Sequence, residues 1–520
     1  MRQILYTILL LLFLPTLSFA QYFDEEDKKE KEEKAYLKVD VEAQASLSDG
    51  KTPLWLNANK HGLSSLEESN GYLRASAIHR MQPFDAEDEK PFDYAFGLDL
   101  AAAYGYTSTL IIQQAYGEVR WLRGKLTIGS KNWDMELKDN NLSSGSQTLG
   151  INARPVPQVR LALDEFWPIP GTKGFLNLKG HIAYGMMTDN NWQKDFTKEQ
   201  SKYTQNALYH SKAGYLKLGK EYQNLSLTLG AEMVTIFGGT SYIWEEGVKK
   251  TVGHRSDLKA FWNAFLPTSG EGEVVETTYQ NVAGNMLGSL LARVDYKNDY
   301  WKAGLYLDHF FEDHSQMFFV DYDGYGIGDE WQTKKDRKYF MYSMKDMMLG
   351  FDWKSNLPSW FDSMVFEYIY TKYQSGPIYH DHTQNISEHI CGKDNYYNHY
   401  LQAPYQHWGQ VMGNPLYLSP IYNDDNQLEV KNNRFVAYHL GFGGHPTDEL
   451  SYRILATFQD GMGTYLTPYD GYKKSFNLMA EATYQFPKNW QVTAAIGIDR
   501  GNIHGNNSGA QLTIRKTIYK

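Results

Sequence analysis

The sequence predicts an all-β fold, a transmembrane outer-membrane β-barrel of about 18 antiparallel strands. Three observations predict it. Apolar and polar residues alternate along many segments. The connections between those segments are short and long in turn. The chain opens on an export signal, yet at a mean hydropathy of −0.54 it is too polar to cross a membrane as helices.

An export signal is expected at residues 1–20. Arg2 supplies the positive charge, Ile4 to Leu14 is almost wholly apolar, and Ser18 and Ala20 place small residues before a cleavage point at Gln21. The apolar run is too short for a membrane anchor. No Cys lies near the cleavage point, which argues against a lipid-modified N-terminus. Residues 21–35 follow as a charged leader, with an unbroken charged run from Asp24 to Lys34. Such a run is expected to be solvated, here in the periplasm. Residues 36–520 are the predicted barrel with its surface loops.

No run of about 18 apolar residues follows the signal, so no transmembrane helix is expected. The lone Cys391 cannot form an internal disulfide. Aromatic residues reach 15%, with 39 Tyr, 25 Phe and 13 Trp. A barrel tolerates the overall polarity because only alternate residues of each strand face lipid. The net charge of −10 argues against nucleic acid as a partner, since it leaves no basic surface to neutralise phosphates.

Pleating sends successive side chains to opposite faces of a strand. Leu225, Leu227, Leu229, Ala231 and Met233 share one face, against Ser226, Thr228 and Glu232 on the other. Trp490, Val492, Ala494 and Ile496 likewise oppose Gln491 and Thr493. Strands are predicted near 36–47, 71–81, 93–104, 110–121, 124–130, 158–164, 174–186, 210–219 and 224–237. Others are predicted near 286–297, 299–309, 347–354, 362–373, 433–444, 450–459, 475–485, 489–500 and 508–519. A soluble sandwich alternates too, so alternation alone does not decide. The connections do. After even-numbered strands they are short, as at Leu122–Arg123 and Asn298. After most odd-numbered strands they are long: 131–157, 187–209, 238–285, 310–346 and 374–432. That asymmetry belongs to outer-membrane barrels and puts the long loops outside the cell, with both termini in the periplasm.

The loop 374–432 holds five of the fifteen histidines and eight aromatic residues. Rings can stack on the apolar faces of sugars, and amides and carboxylates can bind their hydroxyls. The same residues could instead pack the loop on itself and plug the barrel mouth. His380, Asp381 and His382 are ligand types for a transition metal, but three adjacent residues of an extended segment cannot all face one ion without a tight turn. No metal or cofactor is expected. The stretch Asp321 to Asp329 lacks the acidic fifth position of a calcium loop and has Gln332 where a Glu is needed. There is no Gly-x-Ser-x-Gly elbow, His-Glu-x-x-His pair or phosphate-binding loop, and no catalytic residue is assigned.

Three blocks carry a resemblance. Thr52-Pro53-Leu54-Trp55-Leu56-Asn57-Ala58-Asn59-Lys60-His61-Gly62 is the first, and Asn152-Ala153-Arg154-Pro155-Val156-Pro157 the second. The third is Asp394-Asn395-Tyr396-Tyr397-Asn398 followed by Gly409 to Leu416. In this order they resemble the Wzi-type capsule assembly proteins as found in Bacteroidetes. The resemblance implies an 18-stranded outer-membrane lectin that holds or organises capsular polysaccharide at the cell surface. One departure is local: Ala403-Pro404-Tyr405 stands where the family often has a Gly-Trp pair, with Trp408 slightly later.

The expected function is therefore polysaccharide binding without chemistry. Tyr397, Asn398, Trp408 and Asn414, together with Asp381 and His382, are the predicted glycan contacts. The expected partners are capsular or exopolysaccharide, outer-membrane lipid and capsule export machinery. The alternative is a porin-like diffusion channel for sugars.

Overall fold

The computed structural model describes residues 36–82, 91–266, 284–312, 319–322, 326–330, 333–340, 344–380 and 389–520. The predicted signal and leader lie outside the described residues. Eighteen strands form one antiparallel sheet. They are β1 (Leu37–Asp49), β2 (Ser69–His79), β3 (Phe92–Tyr104), β4 (Leu110–Trp121), β5 (Gly124–Ser130) and β6 (Gln158–Pro168). Next come β7 (Leu176–Met186), β8 (Leu208–Leu218), β9 (Leu225–Phe237), β10 (Asn285–Lys297), β11 (Trp301–Glu312) and β12 (Met347–Ser355). The last six are β13 (Ser363–Tyr370), β14 (Phe435–Gly444), β15 (Leu450–Gly463), β16 (Pro468–Phe486), β17 (Trp490–Gly501) and β18 (Asn507–Tyr519).

Each strand pairs with its neighbours in sequence, and β1 pairs with both β2 and β18, so the sheet closes on itself. At the seam Val41 lies opposite Ala75 on one side and Lys516 on the other. Every predicted strand is present. The largest shift of a boundary is in β16, which starts at Pro468 rather than at 475.

The two faces of the wall are inverted relative to a soluble sheet. In β1 the inward Glu42, Gln44 and Ser46 are buried, whereas the outward Val41 and Leu47 are more than half exposed. Tyr94, Phe96 and Leu98 of β3 are exposed in the same way. A soluble sandwich hides its apolar face; here the apolar face is the exposed one, and the solvent that suits it is lipid. Exposed Phe92, Trp121, Tyr222, Tyr300, Trp360 and Trp490 ring the end that carries the short turns, where amphipathic rings favour the membrane interface. The protein is an outer-membrane β-barrel.

Many inward charges of the wall are paired with an opposite charge or hydrogen-bonded, as a poorly solvated interior demands. Arg74 bridges Asp99 at 2.6 Å and Glu42 at 3.4 Å. Arg453 meets Glu481 at 2.7 Å. A bulge in β4 sets Asp99 opposite Gln114 and Leu100 opposite Ile112, leaving Gln113 as the extra residue. Both glutamines are buried: Gln114 donates to Asp99, and Gln113 donates to the His61 carbonyl at 2.8 Å. The bulge thus aims a second amide at a loop inside the barrel.

The connections follow the predicted asymmetry. Leu122–Arg123 joins β4 to β5, whereas 131–157, 238–284 and 371–434 follow β5, β9 and β13. The first connection, 50–68, is long as well and carries a single helical turn, α1 (Leu54–Asn57). Two further helices, α2 (Trp192–Phe196) and α3 (Leu258–Phe265), lie in the loops after β7 and β9. Within the predicted loop 238–285 the chain also forms strands Thr240–Glu245 and Val248–Gly253, which join Tyr203–Gln205 in a small sheet. Sequence alternation did not reveal it, because these strands are only three to six residues long.

Candidate functional site

Three loops turn inward and fill the barrel: 50–66, 131–157 and 394–434. Each entry has a local cause. Pro53 precedes α1, and the Leu54 amide donates to the Asp499 carboxylate of β17 at 3.1 Å. Trp55 is buried, with its indole N–H on the Thr457 hydroxyl at 3.1 Å and its ring 5.0 Å from that of His439. Leu54 and Leu56 join one apolar cluster with Tyr396, Tyr397, Tyr405, Leu416 and Tyr417.

The three loops are stitched together by backbone. The His61 and Gly62 amides donate to the Ile151 and Asn152 carbonyls at 2.7 and 3.0 Å. Gly150 donates to Met412 at 3.1 Å, and the Asn152 side chain donates to the Val411 carbonyl at 3.0 Å. Gly62 has φ +67°, and a Cβ there would sit 2.3 Å from the Arg154 nitrogen, so glycine alone fits. The three sequence blocks of the resemblance are thus the three that meet in the plug.

Acidic residues of the wall hold the plug by its amides. Glu367 accepts from the Ser143 hydroxyl at 2.5 Å and the Ser144 amide at 2.8 Å. Asp308 accepts from the Gln147 amide at 3.2 Å and from Lys138 at 2.6 Å. Glu232 accepts from Leu149 at 3.3 Å, and Glu312 from the Tyr397 amide. A hydrogen bond to a charged acceptor contributes about 1.5–3 kcal/mol net. These acids do not line an open channel; they are docking points.

The predicted contact residues fall in different places. Tyr397 and Asn414 have no exposed surface. Tyr397 donates to the Gln147 carbonyl, and Asn414 donates to the Gly145 carbonyl at 2.9 Å. A ring without an accessible face cannot stack on a sugar, so both are corrected to plug-forming residues in this conformation. Asn398 is half-buried and its amide is spent: it donates to Val430 O at 3.0 Å and accepts from Val430 N at 2.9 Å. Asp381 and His382 lie outside the described residues. Trp408 keeps part of its surface, at positive φ, with the Arg154 guanidinium 4.3 Å from its ring. Trp192 packs near by against Gly409, where a Cβ would meet its ring at 2.5 Å.

Arg154 stands out among the buried cations. Among the described residues its guanidinium makes a single hydrogen bond, to the Thr107 hydroxyl at 2.7 Å, its Nε is unbonded, and it has no carboxylate partner. Burial holds its pKa down, at about 10. It lines a cavity of about 290 Å³ beneath the plug, with Trp133, Arg160, Lys179, Tyr209 and Tyr215. There Lys131 pairs with Glu118 at 2.8 Å and Lys179 with Glu136 at 2.6 Å. The cavity runs from Gln158, at the loop end of β6, down to Asp164 and Lys179 nearer the turns. A second cavity of about 300 Å³ shares His61 and Asn132 with it. Sequence reasoning missed Trp133, Trp192 and the isolation of Arg154, which no local motif signals. Among the described residues no group of His, Cys, Asp or Glu is arranged to hold a metal ion.

A closed barrel with its lumen filled by its own loops defines the class, a plugged outer-membrane β-barrel. No family model and no curated protein sequence matches the chain. Among solved structures the fold is similar to that of Wzi of Escherichia coli, a carbohydrate-binding β-barrel involved in group 1 capsule assembly. The TM-score is 0.55 at 11% identity, covering 96% of this chain and 89% of that one. The OprD outer-membrane protein of Pseudomonas aeruginosa matches at a TM-score of 0.43 and 9% identity, covering 94% and 95%. At these identities the likeness is one of fold.

Proposed function

We propose that this barrel binds polysaccharide and helps assemble or retain capsular or exopolysaccharide at the cell surface. One observation carries the reading: the fully buried Tyr397, Tyr405, Leu416 and Tyr417 occupy the lumen. A lumen packed with side chains suits holding a polymer at the mouth rather than passing solute. At the mouth, Trp408 and Trp192 flank Gly409 and offer rings for sugar faces. Asp381 and His382, on the same long loop, are further proposed contacts. The carbohydrate binding stated for the Escherichia coli barrel of similar fold is in keeping with this reading. Capsule export machinery is the proposed protein partner, and no reaction is proposed.

The test is the partition of polymer between cells and medium in a deletion strain against its parent. Shedding of polymer made in normal amounts supports the proposal; unchanged retention sinks it. The second reading, a sugar channel, draws on the two cavities beneath the plug. Stable open conductance of the purified protein in a planar bilayer would favour it.

A further inference from the structure

The helix α3 sits in an unusual place. It packs on the outer wall of the barrel, against side chains that face away from the lumen. On β7, His181 lines the cavity while Ile182 and Met186 are exposed, so Tyr184 points outward. On β8, Tyr209, Ser211 and Tyr215 line the cavity, so Leu208, His210 and Lys212 point outward. On β9, Glu232 bonds inward to Tyr215 while Leu229 is exposed, so Thr235 and Phe237 point outward. These outward residues are what α3 covers. Ala260 and Ala264 pack against Phe237, with Tyr184, Leu208 and Phe261 around them.

Four of the covered groups are polar and would face lipid if bare. His210 bonds the Ala183 carbonyl of the wall through Nδ1 at 2.8 Å, and the other three each find a carbonyl of α3 or its end. Tyr184 donates to Phe261 O at 3.0 Å, Thr235 donates to Ala264 O at 3.4 Å, and Lys212 donates to Phe265 O. An unbonded polar group in hydrocarbon costs several kcal/mol, and a cation suits the negative end of a helix. The opposite face of α3 is bare and largely apolar, with exposed Lys259 at its edge. Leu258, Trp262 and Leu266, spaced four residues apart, are 89%, 58% and 43% exposed. Side chains at that spacing share one side of a helix.

We propose that α3 is an interfacial helix that lies in the membrane leaflet on the loop side, with Leu258, Trp262 and Leu266 inserted among lipid. The occupant of this face is lipid because the face continues the lipid-facing wall. Exposed Ile182 and Met186 on β7 and Leu229 on β9 belong to two of the three strands over which α3 lies. An amphipathic helix held flat at the headgroup boundary buries its apolar side about 5–10 Å deep. Here the barrel itself fixes the roll of the helix, so the apolar side has one direction to face. The segment that anchors this loop therefore also tethers the loop to the membrane surface.

The test places an environment-sensitive nitrobenzoxadiazole label at Trp262→Cys, or at Leu258→Cys, in a Cys391→Ser background. The protein is reconstituted in vesicles of phosphatidylethanolamine and phosphatidylglycerol. Ile182→Cys on the wall gives the lipid reference and Asp195→Cys on α2 the aqueous one. Quenching by doxyl-labelled lipid at the Ile182 level, with protection from iodide, is the expected result. Quenching by iodide at the Asp195 level, with none by doxyl lipid, overturns the proposal. Heat-modifiable migration on gels confirms that each variant is a folded barrel, and the two label sites guard against a local misfold at either one.

Discussion

Lys138 in the plug and Asp308 on the wall of β11 meet at 2.6 Å, and neither side chain reaches solvent. The pair fastens a loop to the strand it crosses. Breaking a buried ion pair from one side costs about 3–5 kcal/mol, because the other charge is stranded. Lys138→Met is therefore expected to let the plug swing out, giving more frequent bursts of current in planar bilayers than the native protein. The double variant Lys138→Met, Asp308→Leu removes the stranded charge and should be quieter than the single one. A silent Lys138→Met protein would show that the pair does not hold the plug.

Gly413 has no room for a side chain. A Cβ there would lie 2.0 Å from the Tyr397 hydroxyl and 2.4 Å from the Gln147 carbonyl. Gly413→Ala should cost upwards of about 1–3 kcal/mol of local stability through overpacking. Hydrogen exchange in 394–416 is the readout, with faster exchange expected in the variant. Adding Tyr397→Phe frees the hydroxyl's space and should recover part of the loss.

His399 gives the loop a pH dependence. Its Nδ1 accepts the Leu401 and Gln402 amides at 3.1 and 3.0 Å, which only an unprotonated nitrogen can do. Burial, with Lys202 near by, lowers its pKa from 6.5 to about 3. The ordered loop thus binds fewer protons than the released one between those values. The contribution of His399 is complete above about 6.5 and is lost progressively as pH falls towards 3. Exchange of the Leu401 and Gln402 amides, corrected for intrinsic rates, should speed up from pH 7 to pH 4.5. His399→Asn, whose Oδ1 can accept the same bonds at any pH, should flatten that response.

Arg154 separates stability from function. A buried cation without a carboxylate is an expense to the fold, and an apolar replacement of similar length is often neutral or stabilising. Arg154→Met should leave the unfolding temperature unchanged or higher. It should also reduce polysaccharide retention, as should Trp408→Ala, because the ring loses its support at 4.3 Å. Lower stability with unchanged retention would make Arg154 a structural residue.

All eighteen strands were legible in the sequence because each has one face for lipid and one for the lumen, which a period of two records directly. Leu225 to Met233 shows it. The plug was legible only as loop length and composition. Rings and amides that can bind sugar are the same groups that satisfy buried backbone, so Tyr397 and Asn414 looked like a sugar surface although they are spent inside. What separates Trp408 from Tyr397 is which loop packs above each, and that depends on contacts between segments hundreds of positions apart. The helix α3 was hidden for a related reason: its alanines matter only because β9 lies beneath them.

The anchoring of α1 has a bearing on how the molecule is made. Leu54 lies near the start of the chain and is held by Asp499 on β17, near its end. The seam between β1 and β18 joins the same two extremes. Closure of the wall and seating of the first plug segment therefore both wait for the last hairpin. An unfinished chain would present an open edge and an unseated apolar turn at once. The β17–β18 hairpin is thus shared by the wall and its stopper.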